Sequence, residues 1–222
     1  MSAGDASPPA ATTFNVVVCL FPDAQLLDYA GPLDMFGFLV ESDLVMYSMP
    51  MPPKLLDITY LGPVKTVIRC TSGPPVVPQE TYNEALETKK QYDVLLIPGG
   101  GGVEPTKIPT SLLKFITAQV KCAQFVLSVC TGSWALAQAG VLEGRRATTN
   151  KALFHRVLEN SSKNITWIPH ARWVVDGIYW SSSGVAAGLD MAAAWLEHIV
   201  GSELADRITT SVEYTPAKAG DL

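Results

Sequence analysis

Three short runs in this sequence are apolar at nearly every position: "FNVVVCLF" (14–21), "YDVLLIP" (92–98) and "FVLSV" (125–129). A strand with one wet face alternates apolar and polar residues. These runs do not alternate, so each reads as a strand buried on both faces. Burial on both faces demands a layer of helices on each side of a sheet, and the intervening segments supply them. "GPLDMFGFLV" (31–40), with Pro32 suited to a first turn, and "PTSLLKFITAQVKCA" (109–123) carry apolar residues at helical spacing. "VAAGLDMAAAWLEHIV" (185–200) is rich in small residues and poor in polar surface, as expected of a helix packed inside.

Strands alternating with helices predict an α/β chain built on a mostly parallel sheet with helices on both faces. "LVMYSMP" (44–50), "TVIRCT" (66–71), "NITWIP" (164–169), "RWVVDG" (172–177) and "IYWSSSG" (178–184) read as further short strands, with Asp176-Gly177 as a hairpin turn. With 48% hydrophobic and only 17% charged residues, the 222 residues suit one well-buried domain over 14–222. The first thirteen, "MSAGDASPPAATT", read as a disordered lead-in without the basic and apolar regions of a secretory signal.

A net charge of −5 argues against a nucleic-acid or anionic-membrane partner. No apolar run reaches the roughly 18–20 residues that a membrane helix needs. Cys19, Cys70, Cys122 and Cys130 show no CxxC pair, and the three histidines form no HxxxH, so no metal site is expected. Without a signal sequence the four thiols read as free, in a cytoplasmic protein. Cys19, inside a strand, and Cys122, at a helix end, read as core filling.

In a parallel sheet, sites form beyond the carboxyl ends of the strands. Asp28, Gly99–Gly102 and Cys130 each follow one of the three apolar runs, so one cleft can hold them all. Cys130 stands at an abrupt strand-to-helix turn, where a side chain is lifted above the sheet and a helix start is expected to lower the thiol pKa. The logic is that of a nucleophile elbow, although "SVCTGS" is not its G-x-S-x-G form. Thr131 and Gly132 are small and leave room for a substrate beside the sulfur. Asp28, in the connection after the first strand, fits a helix N-cap and a catalytic carboxylate equally well. Asp34 fits the first turn of a helix, complementing its dipole. The glycines lack a following Lys-Ser/Thr or a G-x-G-x-x-G pattern, so they read as N–H donors near the cleft and not as a nucleotide cradle. His198 falls in a last helical turn, while His155 and His170 follow no motif that sets them beside Cys130.

"FPDAQLLDYAGPLDMF", "YDVLLIPGG", "SVCTGSWALAQAGVLEGRRATT", "RWVVDG", "SSGVAAGLDMAAAWL" and "RITTSVEYTP" occur in that order. Together they resemble the motifs of the ThiJ/PfpI superfamily, most closely its isonitrile (cyclohexyl-isocyanide) hydratase branch, over Phe14 to Pro216. The resemblance implies a flavodoxin-like three-layer sandwich, a homodimer, a small-molecule substrate and no cofactor. It puts the reactive cysteine at Cys130 and the branch's aspartate at Asp28. The implied chemistry is attack of the thiolate on an isocyanide carbon to give a thioimidate, followed by release of an N-formamide. Asp28 acts as acid and then base. Gly99, Gly100, Thr131, Gly132, Asn150 and His170 form the implied substrate- and oxyanion-binding set. One departure stands out: relatives carry a His after "TT", and this chain has Asn150, which cannot shuttle protons near neutral pH. Two other readings share the cysteine: a glutathione-independent glyoxalase, disfavoured by Asn150, and a redox sensor in which Cys130 is oxidised.

Overall fold

The structure, a computed structural model, describes residues 11–46 and 49–220. Strands β1 (Thr12–Cys19), β2 (Lys54–Gly62), β3 (Glu80–Thr81), β4 (Val94–Ile97) and β5 (Phe125–Ser128) run parallel in one sheet. A short parallel pair, β6 (Arg146–Ala147) and β7 (Thr166–Trp167), stands apart from it. Two later strands, β8 (Trp173–Asp176) and β9 (Tyr179–Ser182), complete the seven-stranded sheet in the order β3-β2-β1-β4-β5-β9-β8. The β8–β9 pair is antiparallel and turns at Gly177, where φ is 60°. That matches the hairpin expected at Asp176-Gly177.

The apolar runs divide their side chains between two cores. From β1 and its exit, Val16, Val18 and Leu20 face one cluster, while Val17, Cys19 and Phe21 face the other. From β4, Val94 and Leu96 go one way and Leu95 and Ile97 the other. Helices α1 (Leu26–Phe36), α7 (Val185–Val200) and α8 (Ser202–Ser211) close the first core, and α2 (Glu41–Met46) follows α1 at its margin. Helices α3 (Tyr82–Glu87), α4 (Thr110–Gln119), α5 (Gly132–Gln138) and α6 (Phe154–Glu159) close the second. The result is the expected flavodoxin-like sandwich of two helical layers about a mostly parallel sheet.

Several local expectations are overturned. The segment 44–50 is not a strand: 44–46 end α2, and 47–48 lie outside the described residues. Residues 66–71 contribute only an isolated bridge, Ile68 with Val76, and the strand beside β1 is instead "KLLDITYLG", with Thr12 opposite Lys54 and Cys19 opposite Leu61. Thr12 and Thr13, expected in the lead-in, pair in β1, and residues 1–10 lie outside the described residues. Helix α1 starts at Leu26, ahead of the apolar spacing that suggested it, so Pro32 lies inside the helix and not in its first turn. Asp34 therefore falls near the C-terminal end, where a carboxylate does not complement the dipole. Cys122 is exposed in the turn after α4 and fills no core.

Helix α7 lies against the end of β5 because Gly188 has no side chain. A Cβ there would sit 2.6 Å from a methyl carbon of Val129. Gly188→Val is expected to destabilise the protein by about 1–3 kcal/mol through overpacking. Thermal melting reads this as a fall of roughly 2–12 °C, and adding Val129→Ala is expected to restore part of the loss.

Candidate active site

Adjacent strands β1, β4 and β5 deliver the three predicted segments to one place. The loop after β1 and the loop after β4 are joined by a bridge between Ala24 and Gly100 and by a hydrogen bond from the Gln25 N–H to the Gly99 carbonyl, 2.8 Å. From Gln25 the chain enters α1, and Asp28 is its third residue. The carboxylate thus belongs to a helix's first turn, not to a connection or a cap. It is fully buried. Its Oδ2 accepts the Gly99 N–H at 2.9 Å, and its Oδ1 has no hydrogen-bond partner.

Cys130 takes the strained elbow expected of it, with φ at 57°. Its carbonyl accepts hydrogen bonds from Ser133 Oγ, 3.1 Å, and Thr149 Oγ1, 3.2 Å, which hold the turn in that conformation. Neither residue was singled out from sequence; a hydroxyl beside an elbow carries no pattern of its own. Thr131 and Asn150 line the same cavity as Cys130, and their polar groups favour the thiolate. Gly99 packs so near the elbow that a Cβ there would lie 2.6 Å from the Thr131 nitrogen and 2.9 Å from the Cys130 Cβ.

The glycine N–H groups have partners within the protein. The Gly99 N–H holds Asp28, and the Gly100 N–H donates to Thr131 Oγ1 at 3.0 Å. They are not the free oxyanion donors that the sequence suggested; they fix the carboxylate and the threonine. Gly132 is buried at the start of α5, its N–H bonded to the Val129 carbonyl at 2.9 Å.

Burial and neighbouring charge set the protonation of the pair. Burial raises the Asp28 carboxyl to about 7, a rise moderated by the Gly99 N–H and by Cys130. Burial, and then the Asp28 charge, push the Cys130 thiol up to about 11, against the polar groups of Thr131 and Asn150. The thiol lowering expected from the helix start is therefore reversed. Desolvation of a cysteine that is only 8% exposed, with the Asp28 charge added to it, outweighs what the start of a seven-residue helix supplies. Between about 7 and about 11 the pair holds one proton, mainly on sulfur, with a carboxylate able to take it; below 7 the carboxyl carries a second.

A cavity of about 300 Å³ opens over the sulfur. Gly100, Cys130, Thr131 and Asn150 reach it, together with apolar walls from Val103, Trp134, Ala152, Leu153 and Val185. Gln25 and Thr71, joined by a 2.9 Å hydrogen bond, form its polar rim. Asp28 is buried, interacts with Cys130 and does not line the cavity. His170 is exposed and also stands outside the lining, so the structure does not bring it to the site with the others. His155 and His198 are exposed on α6 and α7. Trp134 is both core and cavity wall, whereas Trp180 is core alone.

Known proteins resemble this chain in sequence and in fold. The chain is 32% identical to an isonitrile hydratase of Pseudomonas putida over 91% of its own length and 79% of that protein. It is 22% identical to a glutathione-independent glyoxalase of Caenorhabditis elegans over 67% of this chain and 76% of the other. A THiJ/PfpI family protein from Pseudomonas syringae superposes with a TM-score of 0.73 at 23% identity, covering 98% of this chain and 84% of that one. The profile of the DJ-1/PfpI family matches residues 15–198, and the chain belongs to that family.

Proposed function

We propose that this protein is a cofactor-free isocyanide hydratase that converts an isocyanide and water to an N-formamide, with Cys130 as nucleophile and Asp28 as acid and base. The observation that carries the reading is the buried Asp28–Cys130 pair, whose cysteine lines a mainly apolar cavity. An isocyanide is a slim, uncharged group with its reactive carbon at the tip. Such a group can reach the sulfur while its alkyl or aryl tail lies against Trp134, Leu153 and Val185. The similarity to an isonitrile hydratase supports the same reading.

The proton already present on the pair is enough for the first step. As the sulfur lone pair bonds to the terminal carbon, the thiol proton passes to Asp28, so no free thiolate accumulates. The electron pair left on carbon takes that proton back from Asp28, giving the thioimidate. Water then adds to the same carbon, its proton passing through Asp28 to nitrogen. The carbon–sulfur bond breaks, the sulfur recovers a proton from the new hydroxyl through Asp28, and the formamide departs. Thiol and carboxylate return to their starting states. A carboxyl held near 7 suits both halves of this cycle, because giving and taking a proton cost little at working pH.

Purified wild type with cyclohexyl isocyanide is expected to yield N-cyclohexylformamide by mass spectrometry. Cys130→Ser is expected to yield none, and Asp28→Asn to lose about 100-fold or more in kcat. Absence of formamide from wild type across several alkyl and aryl isocyanides overturns the proposal.

The pH profile follows from the pair. Asp28 must start as carboxylate to accept the thiol proton, so kcat/KM is expected to fall as pH drops through about 7. On the alkaline side it is expected to stay flat until the thiol itself ionises near 11. A profile without the acid limb would remove Asp28 from the role of base.

Thiol alkylation separates the two roles of Asp28. Its charge disfavours the thiolate, so Asp28→Asn is expected to react several-fold faster than wild type with iodoacetamide at pH 8 while turning over far less isocyanide.

A further inference from the structure

Asn150 is held in one orientation. Its Oδ1 accepts the Ala152 N–H at 3.0 Å and the Leu153 N–H at 3.3 Å, which leaves the amide nitrogen to face the cavity. That Nδ2 lies 3.6 Å from where a Cβ on Gly184 would stand, and Asn150 lines the same cavity as Cys130, whose thiol pKa it helps to keep from rising further. The preceding residue, Thr149, holds the Cys130 carbonyl at 3.2 Å. A single stretch of chain therefore fixes the elbow's backbone and lines the cavity into which its side chain opens.

We infer that Asn150 is an oriented hydrogen-bond donor to the Cys130 sulfur, a catalytic residue that supports sulfur as it leaves the thioimidate and can take up no proton there. The inference rests on the hydratase reading for its place in the cycle. When the carbon–sulfur bond breaks, its electron pair returns to sulfur. An N–H aimed at that atom favours the charge that develops. An amide nitrogen has no lone pair to accept a proton, and Asn150's acceptor oxygen is occupied by backbone N–H groups. All proton traffic then runs through Asp28. The site suits substrates whose turnover ends with addition of water at one carbon. It does not suit those that need a second base to move a proton between two carbons.

The test uses two variants and a reaction that needs no isocyanide turnover. Asn150→Asp keeps the Oδ1 that accepts the Ala152 and Leu153 N–H groups but loses the donor; Asn150→Ala loses both. Iodoacetamide alkylation of Cys130 is followed at pH 8 by intact mass, with thermal melting in parallel. Both variants are expected to alkylate about tenfold more slowly than wild type, the effect of one hydrogen bond to a charged group. Asn150→Asp is expected to melt as wild type does. Wild-type alkylation by Asn150→Ala overturns the inference. So does a slowed Asn150→Ala with a lowered melting temperature, if Asn150→Asp alkylates at the wild-type rate. Formamide production by wild type is measured alongside. Its failure would remove the hydratase reading and leave the alkylation result to decide Asn150's contact with sulfur.

Discussion

The backbone of Cys130 sits in the left-handed region, which costs a residue with a side chain roughly 1–3 kcal/mol. The protein holds it there from several sides. Two hydroxyls bind its carbonyl, Gly99 lets the neighbouring loop pass within contact of the turn, and Gly188 lets α7 press against Val129. In this conformation Cys130 lines the cavity and interacts with the buried Asp28.

The second constraint is water exclusion. Asp28 has one hydrogen bond to its carboxylate and one orphan oxygen, in a setting where solvent does not relieve the charge. Such a group is expensive to keep ionised, and its pKa rises until gain and loss of a proton are nearly balanced. The thiol is raised by the same burial and by its neighbour's charge. The site therefore does not hold a preformed thiolate at the start of a helix. It holds a carboxylate and a thiol that exchange one proton, with donors from Thr131 and Asn150 limiting how far the sulfur is raised.

Much of this was legible in the sequence, and the limits have physical causes. Runs such as "FNVVVCLF" reveal burial on both faces because they lack alternation, and that alone points to the sandwich. "KLLDITYLG" was missed because its polar and half-buried positions mark a strand nearer the sheet's edge, where the apolar signal weakens. "LVMYSMP" misled because a short apolar run fits a helix end as well as a strand. Cys130 and Asp28 were found from their places after strands, but their protonation was not, since desolvation is a property of the assembled core. The roles of Gly99 and Gly100 were inverted for a similar reason. Sequence shows that an N–H is near a cleft, but only the fold shows that it already has an acceptor. His170 carried a resemblance and no geometry, and it stands exposed outside the cavity.

The strand order has a consequence for how the molecule comes into being. Asp28, Gly99 and Cys130 are far apart along the chain, and β4 lies between β1 and β5 in the sheet. During synthesis the carboxylate emerges first and stays hydrated, an ordinary acid, until the later strands dock beside it. The cysteine arrives last, and only the docking of β5 brings it against that acid. The interacting pair is in this sense a product of completed folding: a partly made chain has an ordinary carboxylate and, at most, an ordinary thiol.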